Sequence, residues 1–336
     1  MASIISRLDN EEIDLNPDFQ RNQGLWSNKK MSRLIESILL RLPLPVFYFD
    51  VTDNDKWIVV DGLQRLSTLK KFIVDKKLRL QQLEFLSELN GCSYNDLERP
   101  LKRVIDETQV ITYQIEAQTP KEVRYSIFNR INTGGVTLNA QEIRQALNQN
   151  GIGVKFLKDI ANDVRFKRIV GIKSDRMMDR ELALRFIAFK LIKSDDKYKD
   201  MSNLLDLTMD KLDHNYVNDD DRLNEIKQQL FSSLEFSEEL LGEGHKFSRN
   251  IANVIKNKAF NHALFDSLTV GLSELNEYEK ASLLSKKDIF KNKFINLLRD
   301  TQSDFSKSIT VGTSGKFAIE MRFKTISNLI NEVINE

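Results

Sequence analysis

Apolar and polar residues follow two different patterns, one before and one after residue 150. Short apolar runs rich in β-branched and aromatic residues predict strands at 46–49, 57–60 and 110–115, the first two forming a hairpin across the short turn at 52–55. A helical stripe behind Ser27, a good capping residue, predicts a helix ahead of the first strand. Beyond Gly153 strand signals almost disappear, no proline occurs, and helical stripes recur at 182–192, 223–241, 263–275 and 289–298. We therefore predict an α+β fold, with an α/β domain over residues 1–150 and an all-helical domain over residues 151–336.

The predicted strand at 57–60 runs directly into a helix through Asp61 and Gly62. A helix that begins after a glycine turn presents backbone N–H groups, which favour anions. Arg65 lies in the first helical turn, where its forked guanidinium suits a phosphate. Asp61 and Gln64 also have the spacing of a capping box, in which each side chain accepts a backbone N–H. The residues alone leave both interpretations open.

Two further junctions carry polar residues where a helix meets a turn. One is Ser37-Ile38, close to the helix end before Pro43-Leu44-Pro45. The other runs from Arg130 through Asn132-Thr133-Gly134-Gly135 to a capped helix that contains Arg144. Each junction also has a purely structural explanation: the first is a helix end, and the second is a glycine cap of a helix. Three such junctions, two of them rich in arginine and glycine, favour a nucleoside triphosphate over three independent caps.

Composition narrows the function classes. The 336 residues are 41% apolar and 29% charged, with a net charge of +1, so no global basic field indicates nucleic-acid binding. The single cysteine, Cys92, excludes an intramolecular disulfide framework and fits a reducing compartment. No secretory leader is evident at 1–5, and no apolar run is long enough to cross a bilayer. We expect a cytoplasmic protein with no membrane association and no nuclease motif based on histidine.

The motifs follow one another in an order that carries a family resemblance. They are Phe19-Gln20-Arg21 with Trp26, the stripe 34–39, Pro43-x-Pro45, Asp61-Gly62-Leu63-Gln64-Arg65, and 128–135 with 138–144. This pattern resembles the N-terminal domain family of GmrSD-type, modification-dependent restriction systems, whose hallmark is a DGQQR motif. The resemblance covers residues 10–150 and continues more loosely through 179–185 and 263–266. It implies a ParB/sulfiredoxin-like fold for the first domain.

The resemblance also implies nucleotide binding, in several relatives with hydrolysis, coupled to defence against foreign or modified DNA. It assigns catalytic roles to Asp61, Gln64 and Arg65, and a Mg²⁺ ion whose ligands it leaves unknown. It assigns nucleotide contacts to Arg21, Ser37, Ile38, Asp61, Gly62, Gln64, Arg65, Arg130, Asn132, Thr133, Gly134, Gly135 and Arg144. Two residues depart from the family pattern. Leu63 replaces the first glutamine of DGQQR, and Arg41 stands where the ParB-type motif usually has glycine.

We predict a bacterial or phage-encoded NTPase-type sensor or regulatory subunit of a defence system. Its expected partners are a nucleotide of unknown base, DNA, a separate nuclease subunit and a second copy of the chain. One alternative is a ParB-like protein that binds or nicks DNA without NTP turnover, with Arg21 and Arg144 on DNA phosphates. A second alternative is a non-catalytic interaction module. Leu63, which replaces a glutamine of the family motif, favours this alternative.

Overall fold

The computed structural model describes residues 1–15, 26–52, 56–131, 138–172, 176–192, 198–217, 219–242, 247–252 and 259–336. The chain divides into two compact units, Met1–Leu147 and Asn148–Glu336. The first unit contains a small mixed sheet with helices, and the second is mostly helical. The predicted α+β fold is therefore confirmed.

The first unit contains four strands and six α-helices among its described residues. The strands are β1 (Ile13–Asp14), β2 (Phe47–Asp50), β3 (Trp57–Asp61) and β4 (Thr112–Ile115). The helices are α1 (Ala2–Asp9), α2 (Asn28–Leu39), α3 (Leu63–Leu69), α4 (Arg99–Glu107), α5 (Lys121–Ile131) and α6 (Ala140–Leu147). A π-helical turn, Lys70–Val74, continues α3, and 3₁₀ turns occupy Ser87–Leu89 and Tyr94–Asp96.

The four strands lie in the order β1-β3-β2-β4. β2 and β3 are antiparallel, which confirms the predicted hairpin, while β1 pairs with β3 and β4 pairs with β2 in parallel. Ser27 caps α2 as predicted, its Oγ accepting from the backbone N of Lys30 at 3.4 Å. Helix α4 carries a short apolar stripe, Leu101, Val104 and Ile105, at helical spacing within a charged stretch, and of these only Ile105 is fully buried. A stripe this short among charged residues is a weak signal and leads to no prediction of a helix here.

The two faces of the sheet are covered differently. Phe49 pairs with Val59 on one face, and both belong to the main core of the unit, which α2 and α3 complete. Asp50 pairs with Ile58 on the opposite face, since side chains alternate along a strand. Arg124 of α5 approaches Asp50, with Nη1 3.8 Å from Oδ2, and so places α5 over this second face.

A buried carboxylate fixes a loop beside α2. Glu36 is only 3% exposed, and its Oε1 accepts from the backbone N atoms of Glu84, Phe85 and Leu86 at 2.8, 2.7 and 3.0 Å. Burial alone would raise the pKa of Glu36, but these three bonds and the charge of Arg33 hold it below its usual value. The ionised carboxylate therefore stabilises the folded unit.

The second unit consists of helices wherever the structure describes it as regular. Its α-helices are α7 (Ile152–Asn162), α8 (Val164–Val170), α9 (Met178–Leu191), α10 (Met201–Asn215), α11 (Asp220–Leu241), α12 (His262–Ser273), α13 (Glu277–Ser285), α14 (Lys287–Arg299), α15 (Asp304–Ser308) and α16 (Lys316–Asn335). A 3₁₀ turn covers Arg249–Ala252. Among the described residues, none of the helices of the chain combines the length and apolarity that a membrane crossing requires.

Three helices of the second unit meet at a buried carboxylate. Asp266 on α12 accepts from Arg185 on α9, through Nε to Oδ1 at 2.9 Å and Nη2 to Oδ2 at 2.5 Å. Arg322 on α16 donates to the same Oδ2 at 3.0 Å, and both Asp266 and Arg322 are fully buried. Arg322 also donates to the carbonyl of Thr313 at 2.6 Å. The loosely matched motif residues Arg185 and Asp266 thus form one structural ion network.

Candidate nucleotide-binding site

The turn between β3 and α3 requires glycine. Gly62 has φ of +104°, and a Cβ added there would lie 2.5 Å from Cδ1 of Phe47. Both the backbone conformation and the close ring exclude a side chain. Gly62 is the N-cap of α3, and its carbonyl accepts from the backbone N of Leu66 at 2.9 Å. The strand therefore passes into the helix without an intervening loop, as the sequence predicts.

Arg65 is committed to contacts inside the protein. It is 8% exposed, and its Nη2 donates to Asp61 Oδ2 at 2.7 Å and to the carbonyl of Val46 at 3.1 Å. Nη1 donates to the carbonyl of Pro45, and Cζ lies 4.4 Å from the centre of the Phe47 ring. Burial lowers the pKa of the guanidinium, and the charge of Asp61 opposes this. The side chain holds the start of β2 against the β3–α3 turn.

The capping box offered as the alternative at this turn does not form. Asp61 pairs with Arg65, and Gln64 accepts from the backbone N of Trp26 through Oε1 at 2.9 Å. Gly62 holds the N-cap position, so no side chain caps α3. Asp61 is held by Arg65, four residues further along the chain, and Gln64 by the distant Trp26 backbone. Leu63 is 9% exposed and belongs to the main core, so the first glutamine position of the family motif packs inward here.

Ser37 and Ile38 lie in the C-terminal end of α2, in a Schellman motif. The backbone N of Arg41 donates to the carbonyl of Ile38, and that of Leu42 donates to the carbonyl of Ser37, both at 2.9 Å. Arg41 adopts φ of +59°, so the left-handed conformation that favours glycine is kept with an arginine side chain. The Ile38 side chain is fully buried, and Ser37 Oγ donates to the Arg33 carbonyl at 2.9 Å. These contacts stabilise the helix end.

The third junction is described only at its two ends. Arg130 is exposed in the last turn of α5, where its charge is favourable to the helix dipole. Asn132, Thr133, Gly134, Gly135 and also Arg21 lie outside the described residues. On α5, Val123 is 47% exposed although an apolar residue at that position suggests an inward-facing side chain, while Phe128 is fully buried.

Helix α6 begins with the capping box expected at Asn139. The backbone N of Glu142 donates to Asn139 Oδ1 at 2.8 Å, and the backbone N of Asn139 donates to Glu142 Oε2 at 2.7 Å. The helix then buries polar side chains where a core helix usually carries leucine. Gln141 is fully buried and Arg144 is 3% exposed, with Arg144 Nη1 3.3 Å from Gln141 Oε1.

Buried donors on α5 and α6 without a hydrogen-bond partner among the described residues include Nε of Arg124 and Nε2 of Gln141. Such groups are uncommon in folded proteins, and an ordered water, an ion or a functional role is their usual explanation. The ion pair of Asp50 and Arg124 could not be predicted from the sequence because it joins a strand to a helix far along the chain. The one sequence feature that indicated Asp50 was its position directly after the apolar run at 47–49.

Two clefts in the first unit lie elsewhere. One, of about 370 Å³, extends from Arg41 to Ile111, and another, of about 500 Å³, reaches Trp57. Glu107 and Thr108 border both clefts, but none of the predicted site residues lines either of them. No group of three or more histidine, cysteine, aspartate or glutamate side chains suited to a metal ion occurs among the described residues. Asp61, with 27% of its side chain exposed, remains reachable by a hydrated Mg²⁺.

The fold and this turn define the first unit as a small α+β domain built around a strand–glycine–helix junction. Residues 3–148 match the family model of the GmrSD restriction endonuclease, N-terminal domain. The first unit is therefore similar to the N-terminal domain of that family, which suggests a component of a GmrSD-like restriction system. The resemblance inferred from the motifs is confirmed, and the ParB/sulfiredoxin-like fold stays a prediction. No curated protein and no solved structure matches the chain significantly.

Proposed function

We propose that the first unit binds a nucleoside triphosphate together with Mg²⁺. In this proposal the chain is an NTPase or a nucleotide-regulated sensor subunit of a GmrSD-like restriction or anti-phage defence system. The observation that supports it most is the buried polar surface of α5 and α6, above all the unpartnered Nε2 of Gln141. DNA, foreign or modified, is the trigger, and a separate nuclease subunit performs the cleavage.

The energetic argument rests on that surface. A buried amide N–H without an acceptor costs about 1–3 kcal/mol, so an apolar side chain would serve a merely structural helix better. A phosphate or a nucleobase carbonyl supplies the missing acceptors for Gln141 and Arg124. Arg144, buried beside Gln141, adds positive charge where surrounding protein strengthens its attraction to an anion. Its burial also weighs against the alternative in which Arg144 contacts the phosphates of duplex DNA.

The roles at the β3–α3 turn follow from its contacts. Arg65 positions the turn and holds Asp61, which binds Mg²⁺ through water. Gln64 orients the attacking water when nucleotide binding draws it away from the Trp26 backbone. Arg130 and Arg144 neutralise the phosphates. Positioning of the water and neutralisation of the phosphate charge would then lower the activation barrier of triphosphate hydrolysis, as in other phosphoryl transfers.

The test compares binding and hydrolysis of the four ribonucleoside triphosphates with Mg²⁺ in the wild type and in Gln141→Leu. Leucine removes the unpartnered donor at similar volume but also the Oε1 that accepts from Arg144, so the two effects on the unfolding free energy oppose each other and the variant should stay folded. Calorimetric titration should show binding by the wild type and at least about tenfold weaker binding by the variant, the loss expected for one hydrogen bond to a charged group. Gln228→Leu, at an exposed position of α11, is the matched control.

Two outcomes would contradict the proposal. One is the absence of binding for every triphosphate by the folded wild type. The other is equal affinity in Gln141→Leu and the wild type, which would place the nucleotide elsewhere. Binding without phosphate release would support the sensor form of the proposal and remove the catalytic assignments of Asp61, Gln64 and Arg65.

A further inference from the structure

The two outer strands of the sheet differ in how they are protected from pairing. β1 has two residues, Ile13 and Asp14, and follows two glutamates, Glu11 and Glu12. Shortness and charge of this kind prevent a strand edge from pairing with another chain. β4 lies inside an uncharged run of residues, 108–115, with neither proline nor glycine. The β1 edge is therefore protected against pairing with another strand, while the β4 edge has none of these protective features.

The outer edge of β4 offers backbone groups in a defined arrangement. The backbone N of Phe47 donates to the carbonyl of Ile111 at 3.0 Å, and that of Val51 donates to the carbonyl of Ile115 at 2.9 Å. Alternation in the parallel ladder therefore directs residues 111, 113 and 115 to β2. The N–H and C=O groups of Thr112 and Gln114 point away from β2, where no strand pairs among the described residues.

Apolar side chains accompany this open edge. Ile111 is 53% exposed and Tyr113 is 57% exposed. The Tyr113 ring stacks on Tyr48 of β2, with centroids 5.4 Å apart and planes at 23°. This stacking holds the exposed ring in a fixed orientation, which reduces the entropy lost when a partner covers it.

We propose that β4 pairs with β4 of a second copy of this chain, antiparallel about a two-fold axis at Tyr113. Thr112 then lies opposite Gln114 of the second copy, and Gln114 lies opposite Thr112. Each such pair exchanges both backbone hydrogen bonds, using the groups that point outward. Tyr113 faces its own copy, an aromatic cross-strand pair in which the side chains approach closely.

Self-pairing is favoured over pairing with another segment because the edge is self-complementary. The two outward-directed residues lie symmetrically around Tyr113, as a two-fold axis demands. The uncharged run brings no like charges into opposition across the axis. The joined sheets would form a single continuous sheet, and this surface is separate from the residues proposed to bind nucleotide.

The test uses opposite charges at the position on the axis. Sedimentation equilibrium of the full chain should show a dimer for the wild type. Tyr113→Lys and Tyr113→Glu should each raise the dissociation constant by about tenfold or more, because identical charges then face each other. An equimolar mixture of the two variants should recover the dimer, since lysine then faces glutamate. Tyr278→Lys, at a tyrosine that is 82% exposed, is the matched control.

Controls separate loss of pairing from loss of fold. Gln114→Pro removes one outward N–H without breaking a bond to β2, so it should weaken the dimer while tryptophan fluorescence stays native. A monomeric wild type across a dilution series would overturn the proposal. A dimer that persists in both charged variants, or a mixture that stays monomeric while both variants are folded, would also overturn it.

Discussion

Arg65→Ala is expected to destabilise the first unit, because Arg65 makes its contacts within the protein. The substitution removes the ion pair with Asp61, the bonds to the carbonyls of Pro45 and Val46, and the stacking on Phe47. Removing one partner of a buried ion pair costs about 3–5 kcal/mol. The lower end applies, since 27% of the Asp61 side chain is exposed and water can solvate it. We expect a loss of about 3 kcal/mol in the free energy of unfolding.

The assay follows the first unit alone. Both tryptophans of the chain, Trp26 and Trp57, belong to it, so tryptophan fluorescence during urea unfolding reports on that unit. Arg65→Lys keeps the positive charge without the forked guanidinium group. Its free energy of unfolding should therefore fall by less than that of Arg65→Ala. Arg103→Ala, at an exposed arginine of α4, should change the midpoint little. If Arg65→Ala keeps the wild-type midpoint yet no longer binds nucleotide, Arg65 is a phosphate ligand and the positioning role is refuted.

Two further predictions concern buried carboxylates. The depressed pKa of Glu36 stabilises the first unit at pH values above about 4.3, the ordinary value for glutamate, and this contribution disappears as the pH falls through the folded-state pKa. Glu36→Gln should therefore cost about 2 kcal/mol at neutral pH and flatten the loss of stability as the pH falls below about 4.3, measured by tryptophan fluorescence; an unchanged pH dependence would contradict this. Asp266→Asn leaves Arg322 buried without its counter-charge and Arg185 with only Glu181, at 3.6 Å, and should cost the second unit about 3–5 kcal/mol. Far-UV circular dichroism would follow this unfolding against Asp288→Asn at an exposed site, and equal midpoints for the two variants would show that the ion network is dispensable.

The elements predicted from the sequence are those with strong local signals. The β2–β3 hairpin follows from two short apolar runs across a turn, and the box at Asn139 and Glu142 follows from residue spacing. Both depend on interactions within a few residues, which periodicity and capping rules capture. Helix α4 has a stripe of only three apolar residues among charged ones, and its pattern therefore gives no prediction.

The interactions that the sequence did not reveal are polar. Asp61 and Gln64 have the correct spacing for a capping box, but Arg65 and the distant Trp26 backbone are their actual partners. Gln141 and Arg144 are buried, although polar side chains usually mark the solvent face of a helix. Spacing along a chain shows which groups can meet locally, and tertiary contacts decide which of them do.

The most direct test of the central claim is hydrogen–deuterium exchange of the full chain, with and without a Mg²⁺–nucleoside triphosphate. Binding at the proposed surface predicts slower exchange in peptides covering α5, α6 and the β3–α3 turn, with little change in α14 or α16. Slower exchange confined to other segments, or no change at saturating nucleotide for any of the four bases, would contradict it.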